Sequence, residues 1–480
     1  MPIFSLPSRY GIGSFGKSAY DFVDFLEQTG QTCWQVLPLN PTSYGDSPYQ
    51  SPASAAGNPY FIDLELLVKD RLLTKAELES QRCSSKRIDY GRLFNTRYPI
   101  LRLAHSRFRP TEEYRKFVEE NRSWLEDYAL FMALKVQYGF CCWTNWAPNH
   151  QDHAQAIRCQ AEYAQEMDFW RWCQFAFFTQ WKALMSYAHE KGIVIIGDMP
   201  IYVAHDSVDV WAAPEQFLLD ESYNPTVVAG CPPDGFTEDG QLWGNPIYNW
   251  ERMEKEGFRW WLERIGAVSG LYDILRIDHF RGFAGFYNVP YGHPTARYGR
   301  WSPAPGIALF RAIREVYPQC KFIAEDLGFI TEDVLALMED TKFPGMKMLH
   351  FAFYDRDSEN LPRMYESDNC VVYAASHDSD CSYTWCKNIS GTARRRFNRE
   401  CPRHKGQHRV YDLIQLAFES RANLAMVPLQ DYLLLSNEEG RMNEPSTAMG
   451  NWSWRVSPRY NTAKRRAKIL SLTQSTKRNR

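Results

Sequence analysis

Short apolar runs that end in polar or acidic residues recur along the chain. Several follow stretches with helical spacing of apolar residues, such as 169–191 and 306–317. Strands that are apolar on both faces and alternate with helices predict a parallel sheet. The predicted strands are Cys33–Leu39, Ile193–Asp198, Asp273–Asp278, Lys321–Glu325, Met348–Phe353, Cys370–Ala375 and Asn423–Pro428. Pro2–Leu6 is a candidate for a clipped eighth strand.

Two long excursions interrupt the alternation of strands and helices and predict insertions. Approximately residues 65–190 carry a helical pattern rich in Trp, Tyr and charge, which predicts a mainly helical subdomain. Approximately residues 212–260 predict an inserted loop region, because the stretch 212–250 is dense in Pro, Gly and Asp. We therefore expect residues 1–480 to form a single catalytic α/β domain, a (β/α)8 TIM barrel with these insertions.

Composition and charge narrow the class of partner. Hydrophobic residues make up 44% and charged residues 23% of the chain, which is typical of a globular protein. The net charge of -2 provides no broad field for nucleic acid or an anionic membrane, so a neutral partner fits better. Aromatic residues reach 15%, and composition alone does not separate large cores from surfaces that stack on sugar rings.

The cysteines and the termini bear on location. The 12 Cys have no C-x-x-C pair or regular spacing, which favours reduced thiols and a cytoplasmic protein. We expect no secretory signal and no membrane span, because the start lacks a basic and apolar leader and no run approaches 18 apolar residues. The basic stretch 459–480 predicts a solvated final helix. Either a monomer or a homodimer is compatible with this sequence.

Two motifs suggest chemistry that their context does not support. The stretch from Gly11 to Gly16 matches G-x-G-x-x-G, but it lacks the preceding strand and the later acidic residue of a dinucleotide site. These glycines predict a turn instead. His150, Asp152 and His153 are capable of binding metal, but they have no further ligands at zinc spacing and suit a solvated surface. We therefore predict no cofactor and no metal.

The polar residues at the ends of the predicted strands are the candidate site. In a (β/α)8 barrel the active site lies at the carboxyl ends of the strands. Several carboxylates together suit glycosidic bond chemistry, in which one carboxylate attacks the anomeric carbon and a carboxylic acid protonates the leaving oxygen. Crowding raises the proton affinity of at least one of them. The set comprises Asp198, Arg276, Asp278, Glu325, His377 and Asp378.

Each of these residues alone is also compatible with a capped strand end or a structural ion pair. For Asp198 alone the two interpretations are balanced. The convergence of the whole set on one rim of the barrel favours catalysis, because unrelated structural roles would not be expected to collect at the carboxyl ends of successive strands.

The same residues lie in segments that resemble the 4-α-glucanotransferases, also called amylomaltases, of the α-amylase clan. The resemblance covers nearly the whole chain, and its segments occur in the order of that family. They are Ser5–Gly16, Gly45–Leu67, Ile195–Trp211, Val227–Trp250, Leu275–Phe283, Ile323–Gly328, Phe343–Phe353, Val427–Asp431 and Arg441–Arg455.

The resemblance implies roles for the carboxylates. Asp278 in RIDHFRG corresponds to the nucleophile that forms a covalent glucosyl-enzyme. Glu325 in AEDLG corresponds to the acid that protonates the departing glucan and then deprotonates the acceptor. Asp378 in SHDSD corresponds to the residue that holds sugar hydroxyls and favours a distorted ring, assisted by His377.

The resemblance also implies roles for residues around them. Arg276 lies on the same face of its strand as Asp278 and should keep it ionised. Asp198 is expected to hydrogen-bond or brace the same sugar, and Tyr49 to stack on the donor sugar. The substrate-covering loop is expected to contribute Phe236, Trp243 and Asn245.

The implied activity is transfer of α-1,4-glucan segments from a donor to glucose or a maltooligosaccharide. A loop that shields the covalent intermediate from water would let a bound sugar hydroxyl out-compete water. Two alternatives stay open at this point: a hydrolase of the same clan, and a catalytically silent glucan-binding protein.

Overall fold

A computed structural model describes residues 1–233, 238–328, 330–445, 447 and 449–478. In chain order the strands of this described part are β1 (Cys33–Gln35), β2 (Val194–Met199), β3 (Val227–Cys231), β4 (Gln241–Pro246), β5 (Ile274–Ile277), β6 (Gly285–Pro290), β7 (Arg300–Pro303), β8 (Phe322–Ala324), β9 (Gly345–Met348), β10 (Cys370–Tyr373) and β11 (Leu424–Met426).

The α-helices surround these strands and also form most of the chain between β1 and β2. They are α1 (Lys17–Gln28), α2 (Leu64–Lys69), α3 (Lys75–Glu79), α4 (Tyr90–Arg107), α5 (Glu112–Glu120), α6 (Arg122–Gln137), α7 (Pro148–Gln151), α8 (His153–Cys159), α9 (Ala164–Glu190), α10 (Val208–Trp211), α11 (Trp250–Lys255), α12 (Arg259–Ser269), α13 (Gly306–Val316), α14 (Glu332–Thr341), α15 (Ser382–Asn388), α16 (Gly391–Glu400), α17 (Arg409–Glu419), α18 (Leu429–Leu433), α19 (Asn437–Gly440) and α20 (Ala463–Ser475).

Seven of the strands form one parallel sheet in the order β1-β2-β5-β8-β9-β10-β11. Every neighbouring pair is parallel, and helices connect most successive strands on the outside. The order follows the chain and skips only the strands of a second, four-stranded sheet, β4-β3-β6-β7. This arrangement confirms the α/β class and the (β/α)8 barrel predicted from the sequence.

The inner surface of the barrel is a layer of alternate side chains from its strands. Ile196, Ile323, Met346, Val371 and Tyr373 pack together there and are at most 4% exposed. Successive side chains of a strand point to opposite faces, so the intervening residues pack outward against the helices. Polar side chains two positions further along some of these strands therefore point into the mouth of the barrel, above an apolar floor.

The outer helices follow the apolar spacing of the sequence. In α1, Ala19, Phe22, Val23 and Leu26 are buried, which is the i, i+3, i+4, i+7 stripe of a helix that packs on a core. This helix ends at Thr29, whose hydroxyl donates to the carbonyl of Phe25 at 2.7 Å. The helix therefore has one face fixed on the core and its last turn hydrogen-bonded.

One predicted strand was placed too late in the sequence. The run 348–353 is a pair of tight turns, in which the amides of Phe351 and Ala352 donate to the carbonyls of Met348 and Leu349. Leu349, Ala352 and Phe353 are buried turn residues, whereas Phe351 is exposed, and the strand itself is Gly345–Met348. The charged Lys347 interrupts the apolar run of this strand, so the sequence pattern did not show it. In the structure the Lys347 ammonium pairs with Glu359 at 2.7 Å on the outer side.

The prediction of an eighth strand at Pro2–Leu6 was also wrong. Ile3–Ser5 is a 3-10 helix, anchored where the Ser5 hydroxyl donates to the carbonyl of Trp454 at 2.7 Å. A cavity of about 190 Å³, lined by β1 and β11, lies along the seam between these two edge strands and reaches Arg276 in the barrel interior. Gly11 has a φ of 88°, so this segment turns back towards α1, as predicted for the glycine motif.

The mainly helical character predicted for about 65–190 is confirmed, because α2–α9 occupy this stretch; its status as a subdomain stays a prediction. Two buried glutamines of α9 form hydrogen bonds with the backbone of the chain segment between β1 and α2. The Gln174 amide exchanges hydrogen bonds of 2.7 and 2.9 Å with the backbone N–H and C=O of Gly57. Gln180 does the same with Asp63, at 2.6 and 3.3 Å. Each glutamine amide thus pairs with the N–H and C=O of one backbone residue, as a neighbouring β-strand would do.

The stretch predicted as a loop, 212–250, contains regular structure. It supplies β3 and β4, which join β6 and β7 in the antiparallel sheet. These strands are short, and a bulge between Val228 and Gly230 breaks their pairing, so no long alternation marks them in the sequence. Whether 212–260 covers a substrate stays a prediction.

Within the residues that the structure describes, we find no helix that is long and apolar enough to cross a membrane.

We expect Gln174→Leu to destabilise the fold, because it leaves the N–H and C=O of Gly57 unpaired in a fully buried setting. The expected loss is about 1–3 kcal/mol of unfolding free energy for each unpaired group, measured by urea denaturation. Gln165→Leu, at an exposed position of the same helix, is the matched control and should change stability by less than about 0.5 kcal/mol. Equal effects of the two variants would contradict the role given to Gln174.

Candidate active site

The carboxylates predicted to react stand side by side at the carboxyl ends of β5 and β8. Asp278 follows the last residue of β5, and Glu325 follows the last residue of β8. Ile277 and Ala324 are register partners, so Asp278 and Glu325 come next at the same level of neighbouring strands. Neighbouring strands are about 4.8 Å apart, which brings the two side chains into one small space.

Arg276 lies beneath Asp278 and joins it to Asp198. Its guanidinium is 2.7 Å from Asp198 Oδ1 and 3.0 Å from Asp278 Oδ1. Asp198 and Arg276 are also register partners on β2 and β5, so the ion pair lies across the sheet. Burial alone would lower the pKa of Arg276, but Asp198 and Asp278 outweigh it and hold this pKa well above its usual value. The guanidinium is therefore a permanent positive charge in the barrel mouth.

Backbone amides hold Glu325. Its Oε2 accepts from the N–H of His279 at 2.7 Å, and its Oε1 accepts from the N–H of Leu327 at 3.0 Å. His279 reaches Glu325 because its backbone is left-handed, with a φ of 50°. A left-handed backbone is uncommon in residues other than glycine, although His adopts it more often than most, and it is found at functional turns. The turn after the β5 carboxylate thus positions the β8 carboxyl.

Burial raises the pKa of both carboxyl groups above the usual values. Burial, together with the negative charge of Asp278, raises the pKa of Glu325 to about 7, although Arg276 and the two backbone hydrogen bonds oppose this rise. Burial also raises the pKa of Asp278 to about 6, with Arg276 opposing this rise. Arg276 is 3.0 Å from Asp278, so Asp278 loses its proton first and Glu325 keeps one near neutral pH.

A second group forms around Asp378, in the turn after β10. His377 Nε2 is 3.2 Å from Asp378 Oδ2 and 3.0 Å from the hydroxyl of Tyr49. The Tyr49 hydroxyl donates its hydrogen to Asp198 Oδ2 at 2.8 Å, so Nε2 must carry the hydrogen that points at Tyr49 and Asp378. The remaining oxygen of Asp378, Oδ1, accepts from the side-chain amide of Asn443 at 2.6 Å.

These contacts set the charges of the second group. Desolvation alone would raise the pKa of Asp378, but His377 and Asn443 outweigh it and hold this pKa far below its usual value. Desolvation alone would lower the pKa of His377, but Asp378 outweighs it and raises this pKa. Asp378 is therefore an anion at any pH near neutrality.

The structure brings Asp198 and Tyr49 to the site in a more buried setting than the sequence suggested. The carboxylate of Asp198 is fully buried, and both oxygens are engaged by Arg276 and Tyr49. The Tyr49 ring is half-buried and stacks on His377, with ring centroids 5.4 Å apart. Direct contact of either residue with a sugar stays a prediction; their visible role is to brace Arg276 and His377.

The three residues expected on the covering loop have different positions. The edge of Trp243 meets the ring of His279 at a centroid distance of 4.7 Å, so it borders the nucleophile turn. Asn245 is 5% exposed, and its amide is engaged by Gln50 and the carbonyl of Val203. Phe236 lies outside the described residues. Contact of Trp243 and Asn245 with substrate stays a prediction.

Three contributors were not assigned a role from the sequence. They are the backbone N–H groups of His279 and Leu327, and the side chain of Asn443. Backbone donors have no residue signature. Asn443 lies in a segment that supported the family resemblance, but 65 positions separate it from Asp378, so nothing local pointed to their contact.

The metal-capable residues noted in the sequence have other partners. His150 Nδ1 is 2.8 Å from the hydroxyl of Tyr138, and His153 pairs with Asp127 at 2.8 Å. Asp152 caps the start of α8. His150 is buried, so the solvated surface expected for this group was wrong at that position. Among the described residues, no three His, Cys, Asp or Glu side chains are grouped to hold a metal.

Comparison with known proteins agrees with this arrangement. The sequence pattern of the 4-alpha-glucanotransferase family matches residues 1–461. The chain is 45% identical over 487 residues to a 4-alpha-glucanotransferase from Clostridium butyricum, with 99% of each chain covered. It is 42% identical over 489 residues to one from Thermus thermophilus, with 99% of this chain and 97% of the relative covered. A solved amylomaltase from Streptococcus agalactiae, in complex with acarbose, superposes with a TM-score of 0.95 at 37% identity, over 99% of this chain and 98% of that one.

We expect Asp278→Asn to lower the pKa of Glu325, because it removes the neighbouring negative charge that raises this pKa. Carboxyl 13C NMR titration measures the change, with Glu325→Gln used to assign the signal. Asp70→Asn, which neutralises an exposed acid at the end of α2, should leave the pKa of Glu325 where it is. An unchanged Glu325 titration in Asp278→Asn would show that the two carboxyls are not coupled.

Proposed function

The chain belongs to the 4-alpha-glucanotransferase family, and we propose that it works by a retaining double displacement. In this proposal Asp278 forms a covalent glucosyl-enzyme, and α-1,4-glucan segments pass from a donor to glucose or a maltooligosaccharide. The observation that carries the proposal is the pairing of an ionised Asp278, 3.0 Å from Arg276, with Glu325 at the same level of the next strand.

The spacing of the strands supports retention over inversion. Retaining enzymes place their two carboxyls about 5–5.5 Å apart, whereas inverting enzymes leave room for a water at about 6.5–9.5 Å. Side chains at one level of neighbouring parallel strands, about 4.8 Å apart, suit the shorter distance. Asp278 and Glu325 are placed in this way.

In the first step Glu325 gives its proton to the glycosidic oxygen while Asp278 attacks the anomeric carbon. Burial keeps the proton on Glu325, and Arg276 keeps Asp278 ionised. The bond from the anomeric carbon to the leaving glucan breaks as the bond to Asp278 forms. Asp378 stays anionic, so it stabilises positive charge on the flattened sugar ring.

In the second step the ionised Glu325 takes a proton from the hydroxyl of an incoming sugar, whose oxygen attacks the anomeric carbon. The bond from that carbon to Asp278 breaks, which leaves Asp278 ionised and Glu325 protonated for the next cycle. Transfer competes with hydrolysis, and a bound acceptor wins through its high effective concentration. The region 212–260, from which Trp243 borders His279, is the part of the chain proposed to cover the intermediate.

The expected ligands are α-1,4-glucans and maltooligosaccharides. The Streptococcus agalactiae relative was solved with acarbose, and we expect this site to bind the same inhibitor. The predictions of a cytoplasmic location, of no cofactor, and of a monomer or homodimer remain predictions.

We expect purified enzyme given maltotriose to produce glucose together with a ladder of longer oligosaccharides, resolved by chromatography. Asp278→Ala should lower the rate at least about 1000-fold without loss of fold, because it removes the carboxylate that is proposed to form the covalent intermediate. Asp70→Ala serves as the control and should retain activity. Shorter products without longer ones would identify a hydrolase, and an active Asp278→Ala would remove Asp278 from the nucleophile role.

We expect a bell-shaped pH profile of kcat/KM with its maximum between about 6 and 7. Activity falls as the pH drops through the pKa of Asp278, about 6, because the nucleophile becomes protonated. It falls as the pH rises through the pKa of Glu325, about 7, because the acid loses its proton. Initial rates across pH 4–9 check this. A rate that keeps rising above pH 8 would rule out Glu325 as the acid with this pKa.

A further inference from the structure

The segment Arg441–Asn443, after α19, lies against the turn that carries His377 and Asp378. The backbone N–H of Asn443 donates to the carbonyl of His377 at 3.1 Å. The Arg441 guanidinium pairs with Asp380 and donates to the carbonyl of Asp378 at 3.3 Å. Arg441 also donates to the carbonyl of Asn443 at 2.8 Å, which ties the two ends of the segment together. The two stretches of chain are therefore joined at several points.

Within this junction Asn443 determines how Asp378 is oriented. Its amide donates to Oδ1 at 2.6 Å, while His377 faces Oδ2 at 3.2 Å. An ionised carboxylate only accepts hydrogen bonds, so the atom of Asn443 that faces Asp378 must be its NH₂ group. With one donor on each oxygen, the plane of the carboxylate is fixed. The side chain of Asp378 is 45% exposed, so packing alone would not hold it.

We propose that Asn443 is a positioning residue, which holds the Asp378 carboxylate in the orientation that stabilises the charged, flattened sugar of the transition state. This inference rests on the function proposed above. Without the Asn443 amide, the carboxylate can rotate about its last side-chain bond, with only His377 restraining it. Rotation moves negative charge away from the developing positive charge, so the transition state loses more than the bound ground state does.

The test compares variants of Asn443 with a control at Asn451, eight positions further along the chain. Asn443→Ala removes the donor, Asn443→Asp replaces it with a like charge 2.6 Å from Asp378, and Asn443→Gln retains an amide. Asn451→Ala is the matched control, because Asn451 bonds only to the backbone at Glu444 and Thr447 in the described residues. Thermal unfolding verifies that each variant is folded. The readouts are kcat and KM for maltotriose cleavage, and the inhibition constant of acarbose, whose terminal ring is flattened.

We expect Asn443→Ala to lower kcat about 10- to 100-fold with KM within about threefold, and to weaken acarbose in proportion. Asn443→Asp should be slower still, Asn443→Gln should recover part of the loss, and Asn451→Ala should stay within about threefold of wild type. The proposal is overturned if Asn443→Ala keeps wild-type kcat. It is equally overturned if only KM changes, or if Asn451→Ala loses as much.

Failure of the proposed function would look different. Cleavage of maltotriose uses Asp378 whether the glucosyl group passes to a sugar or to water. Wild-type enzyme that cleaves without making longer products would refute transfer, while the ratio of variant to wild-type cleavage rates would still decide the role of Asn443.

Discussion

The guanidinium of Arg276 is buried in the mouth of the barrel, and the arrangement of the site depends on it. It is 4% exposed and contacts two carboxylates, Asp198 at the same level of the neighbouring strand and Asp278 two residues further along its own strand. A buried charge is tolerated only when it is paired, and breaking such a pair costs about 3–5 kcal/mol. The ion pairs of Arg276 with Asp198 and Asp278 therefore link the pairing of β2 with β5 to the ionisation of Asp278. The Arg276 guanidinium thus contributes both to the stability of the sheet and to the charge of Asp278.

The apolar floor of the barrel gives that charge its effect. Ile196, Ile323 and Met346 are buried in the barrel interior and give the polar layer an apolar surrounding. In this poorly solvated space burial raises the proton affinity of both carboxyls, but only Asp278 has Arg276 at 3.0 Å. The two carboxyls therefore differ because their distances to one cation differ. The proposed acid and the proposed nucleophile are thus the same kind of group on neighbouring strands.

Residues from distant parts of the chain complete the site above this layer. Tyr49 arrives on the loop after β1 and Asn443 on the segment after α19, and both act on the turn that holds His377 and Asp378. Trp452 packs against Tyr49 and His377, with centroids 5.6 and 5.9 Å away. The barrel strands thus carry Asp278 and Glu325, whereas the contacts of His377 and Asp378 come from the loop after β1 and the segment after α19.

Much of this could be predicted from the sequence, because the signals are local. Apolar runs ending in an acid mark buried parallel strands, and parallel strands bring their carboxyl ends to one rim, so Asp278 and Glu325 could be placed together in advance. The alternation of side chains also placed Arg276 on the face of Asp278. The local pattern was misleading at β9, where the charged Lys347 interrupts the apolar run. The apolar residues of the turns that follow β9 were mistaken for a strand.

Only the tertiary structure decided how these groups are held. Three contacts join residues that are 46 to 78 positions apart in the sequence. They are the ion pair of Asp198 with Arg276, the hydrogen bond from the His279 amide to Glu325, and the hydrogen bond from Asn443 to Asp378. Their partners are set by strand register, by a left-handed turn and by the path of a late segment, none of which leaves a periodic pattern in the sequence. The sequence by itself determined which groups are proposed to react. The three-dimensional packing decided their charge and orientation, because both depend on distances to atoms that lie far away along the chain.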